Sequence, residues 1–143
     1  MKRFYVGVKA LIRSPQGRVL LLQRERDGGC WWDLPGGRLE DQEDIADGMQ
    51  RELLEEIGQS GFTLGRLLAA QRVPDFPDGT GLMVLIYDVR LHDDVVLLSP
   101  EHIGYAFVEP SVALSVMPIG GGCSQAVRDA QTLGLRAALT RLA

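Results

Sequence analysis

Residues 36–43 read Gly-Gly-Arg-Leu-Glu-Asp-Gln-Glu, and residues 51–59 read Arg-Glu-Leu-Leu-Glu-Glu-Ile-Gly-Gln. Between and through them the hydrophobic period is helical: Ile45, Met49, Leu53 and Ile57 recur every fourth residue with Ala46 alongside. Asp44 suits an N-cap and Gly58 a C-terminal stop, so the pattern predicts a helix over 44–57. Gly48 lies inside that helix at a cost of about 1 kcal/mol relative to Ala, either because close packing requires it or because the helix tolerates it. Residues three and four apart on a helix are neighbours, which puts Glu52, Glu55 and Glu56 on one patch. Three carboxylates there repel one another unless a cation sits between them, and hard oxygen ligands favour Mg²⁺ or Mn²⁺. Arg51 is spaced to hold one carboxylate by a bidentate bond and orient its neighbours. The Gly36-Gly37 pair lets backbone approach closely, and a glycine carbonyl would add a neutral ligand. Loop and helix together would make a metal-phosphate site. Taken alone, Arg-Glu-Leu-Leu-Glu-Glu is also an ordinary solvated helix face.

The longer spacing separates the two readings. Gly37, Glu43, Arg51-Glu52-Leu53, Glu55-Glu56 and Gly58 together recur by chance on the order of once in ten million chains of this size at average residue usage. The stretch from Gly37 to Gln59 resembles the Nudix box of the Nudix hydrolase family, and Trp32-Asp33-Leu34-Pro35-Gly36-Gly37 resembles the approach to that box. The resemblance implies an α/β/α sandwich with a mixed β-sheet between helices. It also implies divalent-cation-dependent cleavage of a nucleoside diphosphate linked to another group, such as a nucleoside triphosphate or an ADP-ribose-like molecule. By position it assigns Glu52, Glu55, Glu56 and the Gly36 carbonyl to a metal ion, Mg²⁺ with Mn²⁺ as the alternative. Glu52 would also deprotonate the attacking water, while Glu43 and Arg51 would pair and orient the helix. The chemistry is coherent: a metal neutralises the anionic diphosphate and acidifies bound water, and a carboxylate within reach accepts the proton.

Gln42, Gln59 and the Gly48-Met49 pair, which stands where small residues are usual, depart from the family pattern without removing a ligand. Gln42 stands where a Gly is usual and is expected to stiffen the loop, and Gln59 stands where an aliphatic residue is usual and is expected to loosen the helix exit. Beyond the box, Ser99-Pro100-Glu101-His102 resembles a later loop that supplies a further acid in family members, which makes Glu101 a candidate catalytic residue. Trp31 is a candidate for stacking on a base, with core packing as its alternative, and Trp32 suits core packing. Arg24, with Arg26 near it, is placed to meet phosphate, and Arg38 joins Arg24 and Trp31 as a candidate substrate contact. Pro74 resembles a feature of ADP-ribose-cleaving members, but Pro74-Asp75-Phe76-Pro77 is also an ordinary turn. Gly120-Gly121-Gly122 lacks the Lys-Ser/Thr ending of a phosphate loop and reads as a hinge.

The flanking sequence predicts strands at Phe4 to Ile12, Arg18 to Gln23, Leu64 to Val73, Leu82 to Leu91 and Tyr105 to Val108. The first two, joined by Ser14-Pro15-Gln16-Gly17, read as a hairpin, and the glycine-rich segment from Arg24 to Gly37 as largely loop. Ser124 to Leu142 reads as a second helix. No linker or repeat divides the 143 residues, so one domain, 1–143, is expected. Its 45% apolar and 24% charged composition is that of a soluble globular chain. The net charge of −4 argues against a general nucleic-acid binder. Eight of the 19 acids fall between Glu40 and Glu56 with Arg51 as the only base among them, a block that self-repels unless solvated or neutralised. Cys30 and Cys123 lie far apart, which fits a reducing compartment, and neither a signal peptide nor a membrane-spanning run is legible. The expectation is a cytoplasmic enzyme acting on a small nucleotide, with no nucleic-acid or membrane partner and a homodimer as the associated form to look for. The competing expectation is a non-catalytic nucleotide-binding or regulatory module on the same fold.

Overall fold

The computed structural model describes residues 1–26 and 28–116. The helix expected at Ser124 to Leu142, the glycine run at 120–122 and Cys123 lie outside the described residues. Two strands form the centre, β1 (Phe4–Ile12) and β2 (Val19–Arg26). Successive side chains of a strand face opposite ways, and both strands use both faces. Val8, Ala10 and Ile12 of β1 with Leu20 and Leu22 of β2 enter one buried cluster, while Leu11, Val19 and Leu21 enter another. That double burial is why Val19 to Leu22 is continuously apolar instead of alternating. Each fully buried Leu or Ile here contributes roughly 1.5–3 kcal/mol.

β3 (Gly29–Asp33) and β4 (Gly36–Arg38) follow, then α1 (Ile45–Ile57), β5 (Phe62–Val73), β6 (Gly81–Leu91), β7 (His102–Val108) and α2 (Pro110–Val116). A mixed sheet runs β4-β1-β6-β5 and an antiparallel one β3-β2-β7. β1 lies parallel to β6, from Phe4 opposite Gly81 to Ile12 opposite Val89, and antiparallel to β4, with Lys9 opposite Gly36. Met49, Leu53 and Ile57 of α1 seal the first cluster, and Ala113 of α2 joins the second. Helices thus cover both faces, as the α/β sandwich requires. Among the described residues no helix is long and apolar enough to cross a membrane.

Two local expectations are corrected. The segment from Arg24 to Gly37 is not largely loop: it holds the end of β2, β3 and β4, because pairing to β1 and β2 outweighs the low strand propensity of its glycines. The first two strands are a hairpin only at their base. The turn closes with Gly17 N–H on Ser14 O at 2.9 Å and one bridge, Arg13 to Val19, after which the strands part into different sheets. The expected mixed sheet is present, and the second, antiparallel sheet adds to it.

Helix α1 is closed at both ends as its sequence requires. The Asp44 carboxylate accepts the Asp47 N–H at 2.9 Å, and Gly58 takes the left-handed conformation at φ 69°. The chain beyond β6 then runs back along the helix exit. Leu97 N–H donates to Ile57 O at 2.9 Å and Ser99 N–H to Glu56 O at 3.0 Å, satisfying two terminal carbonyls. This return carries Ser99, Pro100 and Glu101 to the helix face that bears the glutamates.

Candidate active site on helix α1

Gly36 and Gly37 form the floor. At φ 138°, a side chain on Gly36 would put its Cβ 2.0 Å from Val8 O, and one on Gly37 would meet the Glu52 carboxylate at 2.3 Å. At Gly36 only glycine lets β4 lie this close to β1, while a side chain at Gly37 would have to displace the Glu52 carboxylate. The strand is tied in place by Ala10 N–H on Pro35 O and Leu39 N–H on Val6 O, both 2.8 Å.

Glu56 is buried, only 5% exposed, and its carboxylate is held from several sides. Oε1 accepts the Gly36 N–H at 2.6 Å, and Oε2 accepts Arg24 Nη2 at 2.8 Å. His102 Nε2 lies 3.0 Å from the same Oε2 but without hydrogen-bond alignment, while its Nδ1 is 2.9 Å from Ser99 Oγ. Arg24 Nη2 is also 3.5 Å from the Gly36 carbonyl oxygen. Its Nε is buried with no hydrogen-bond partner among the described residues.

Arg51 organises the other carboxylates. It grips Glu43 bidentately, Nε to Oε2 at 2.8 Å and Nη2 to Oε1 at 2.9 Å, and reaches Glu52 Oε1 with Nη1 at 2.9 Å. Nη2 donates to Arg38 O at 3.0 Å and Nη1 to Glu55 Oε2 at 3.5 Å. The hydrogen bonds from Arg51, then the Glu40 N–H, hold the Glu43 carboxyl down at about 2. Glu52 is pushed the other way: burial raises its carboxyl above the usual range, with Glu56 and Glu55 adding repulsion against the opposing pull of Arg51.

Glu52, Glu55, Glu56 and Glu101 meet around one open cleft of about 460 Å³, with Arg24, Gly36, Gly37, Ser99 and Pro100 completing its wall. Among the described residues no three His, Cys, Asp or Glu side chains are gathered tightly enough to grip one ion. Arg24 and Arg51 draw Glu56 and Glu52 toward themselves instead. The donor set still fits a divalent cation. It is all oxygen, and the Arg24 guanidinium, with one N–H unsatisfied, already spans Glu56 and the Gly36 carbonyl where positive charge is needed.

Most of the residues picked from sequence therefore converge: Arg24, Gly36, Glu52, Glu55, Glu56 and Glu101 line the cleft, and Glu43 and Arg51 stand behind it. Trp31 does not join them. It is 8% exposed on β3, which leaves no open face for stacking on a base, whereas Trp32 is the partly exposed member of the pair. Arg38 points elsewhere, onto Tyr5 and Phe76. Gln59 does not loosen the helix exit. It is buried and donates to Asp93 Oδ1 at 2.7 Å and to Val95 O, fastening the exit to the returning chain. Gln42 sits at φ 64°, the conformation that a Gly adopts without strain. His102 beside Glu56 was not separable by sequence from an ordinary core histidine.

Comparison with known proteins agrees with this architecture. A family model for the NUDIX domain matches residues 3–121. A protein named octanoyltransferase from Myxococcus xanthus is 33% identical over 119 residues, 76% of this chain but 31% of that protein. An uncharacterized Nudix hydrolase from Bacillus subtilis is 49% identical over 41 residues, 29% of this chain and 25% of that one. The chain thus spans about a third or less of the curated relatives it matches. Among solved structures, a MutT protein from Methanosarcina mazei Go1 superposes with a TM-score of 0.75 at 25% identity, covering 99% of this chain and 96% of that one. The E. coli ORF135 protein shares the fold, with a TM-score of 0.77 at 24% identity over 99% and 93% of the two chains. With the family model spanning most of its length, this chain belongs to the Nudix hydrolase family.

Proposed function

We propose that the chain is a divalent-metal-dependent pyrophosphohydrolase that cleaves a nucleoside diphosphate linked to another group, by water attack on phosphorus. One observation carries the reading: four glutamates and the Gly36-Gly37 pair, from three separate segments, line a single cleft large enough for a diphosphate. In this reading Gly36 O, Glu52, Glu55 and Glu56 hold the metal, Mg²⁺ or Mn²⁺. When bound, the ion supplies neutralisation of phosphate oxygens and a lowered pKa for water. Glu52 accepts the water's proton, and its burial makes it a better acceptor than a solvated carboxylate. Arg51, braced by Glu43, keeps Glu52 from swinging away, and Arg24 meets a substrate phosphate at the mouth of the cleft. Glu101, on the returning loop, is a further acid able to orient water.

The substrate is a small nucleotide, either a nucleoside triphosphate or an ADP-ribose-like molecule. One solved protein of this fold, from Streptococcus suis 89-1591, is named an ADP-ribose pyrophosphatase, with a TM-score of 0.66 at 20% identity. The negative net charge and the two distant cysteines support a small-molecule nucleotide partner in the cytoplasm over nucleic acid or membrane. Product release from a panel of nucleoside triphosphates, ADP-ribose, dinucleoside polyphosphates and sugar nucleotides, each with Mg²⁺, Mn²⁺ or EDTA, tests the proposal. Metal-dependent cleavage at a diphosphate linkage is expected. Tight nucleotide binding without cleavage would instead support a binding module.

A further inference from the structure

The pairing of β7 with β2 slips by one residue where the two strands reach the cleft. Leu22 lies opposite Tyr105 and Gln23 opposite Gly104, but Arg24 lies opposite His102, which leaves Ile103 as the extra residue. Ile103 is turned outward, 52% exposed. In an unbroken ladder Arg24 would face Ile103, and His102 would point to the other side of the sheet. A bulge re-aims a side chain, and this one sets His102 beside Arg24 over a single atom. Glu56 Oε2 lies 2.8 Å from Arg24 Nη2 and 3.0 Å from His102 Nε2.

The turn that carries His102 engages Glu56 at both ends. Ser99 N–H donates to the Glu56 main-chain oxygen at 3.0 Å, and His102 N–H closes the turn on Ser99 O at 3.1 Å. The His102 side chain is fully buried, with Nδ1 2.9 Å from Ser99 Oγ and Nε2 without a hydrogen-bond partner among the described residues. A bare ring nitrogen so near a carboxylate oxygen would set two lone pairs against each other. The ring proton therefore belongs on Nε2, with Nδ1 accepting from the Ser99 hydroxyl. Arg24 and His102 then play different parts. The Arg24 guanidinium is repelled by any cation that shares Glu56 with it, whereas an imidazole N–H keeps its place behind the carboxylate, as outer-shell partners of ligating carboxylates do.

We infer that His102, locked by Ser99, is a positioning residue that holds the Glu56 carboxylate in place to bind metal. The inference rests on the metal-dependent hydrolase reading. Calorimetric titration of wild type, His102→Leu, His102→Gln and Ser99→Ala with Mn²⁺, in the absence of substrate, tests it. His102→Leu removes the donor and should bind Mn²⁺ about tenfold more weakly or worse, the usual effect of losing an outer-shell partner. His102→Gln, whose amide nitrogen reaches close to where Nε2 stands, should recover most of that loss, and Ser99→Ala should fall between. Thermal unfolding checks that each variant folds, and ¹⁵N NMR of the wild-type imidazole should find a proton on Nε2. A bare Nε2 overturns the inference. So does a glutamine variant no better than the leucine one, or a folded His102→Leu that binds Mn²⁺ like wild type. Should the leucine variant fail to fold, Ser99→Ala binding like wild type overturns it equally. A wild type that binds Mn²⁺ and hydrolyses substrate beside unaffected variants sinks the positioning role alone, whereas one that binds no Mn²⁺ and hydrolyses nothing sinks the reading beneath it as well.

Discussion

Glu43 and Arg51 show how single residues set this site. Glu43 titrates at about 2 in the folded chain because Arg51 and the Glu40 N–H favour its ionised form. An acid whose folded pKa is depressed stabilises the fold above its ordinary value near 4.5 and loses that contribution as pH falls toward 2. The melting temperature of Glu43→Gln should therefore depend less on pH between those limits than that of wild type, and parallel curves would contradict the pairing. Arg24 makes a second residue-scale prediction. It occupies Glu56 and reaches the Gly36 carbonyl, so it competes with any cation for those oxygens. Arg24→Gln, which keeps a donor and loses the charge, should bind Mn²⁺ about tenfold tighter, or about 1.4 kcal/mol, by calorimetry without substrate. Equal or weaker binding would remove Arg24 from competition with the metal. The Glu43–Arg51 pair was legible because both residues lie within one short motif. The contacts of Glu56 with Arg24 and His102 were not, because they cross long separations that only the assembled sheets bring together.

At the scale of elements, helix α1 was the most legible part. Its apolar stripe, its N-cap and its glycine stop all act within a few residues of chain. At Gly48 a Cβ would stand 2.2 Å from Leu39 Cδ2 and 3.0 Å from Glu43 Oε1, so a larger residue there requires those two side-chain ends to shift. The glycine-rich segment before the helix was misread as loop, because strand propensity is overridden where a neighbouring strand offers unpaired backbone groups. β4 exists only through that pairing, and Gly36 is its tightest point. Gly36→Ala brings a Cβ against Val8 O and a strained backbone angle together, so it should cost about 3 kcal/mol or more in urea unfolding. A variant as stable as wild type would mean that β4 can move off β1 without loss, and that the floor of the site is not held as described.

For the whole molecule, the sequence order of strands and helices was enough to place the α/β class, but not to show two sheets or the helix α2, since the second helix it predicted lies outside the described residues. β1 and β2 read as hairpin partners because local turn chemistry is visible in sequence, whereas their separation into different sheets depends on β6 and β7, which arrive far later in the chain. The same assembly sets the return of residues 97–101 along α1, and with it Glu101 at the cleft. In the proposed function this assembled cleft hydrolyses a diphosphate by metal-assisted water attack, with Glu56 essential. The most direct measurement is hydrolysis of the best panel substrate in ¹⁸O-labelled water by wild type and Glu56→Gln, with Mg²⁺ and with EDTA. Wild type with Mg²⁺ should place one labelled oxygen on a product phosphate and none with EDTA, and the folded Glu56→Gln protein should be slower by about a hundredfold or more. Label incorporation that persists in EDTA, or a Glu56→Gln protein as fast as wild type, would rule out metal-assisted attack that depends on Glu56.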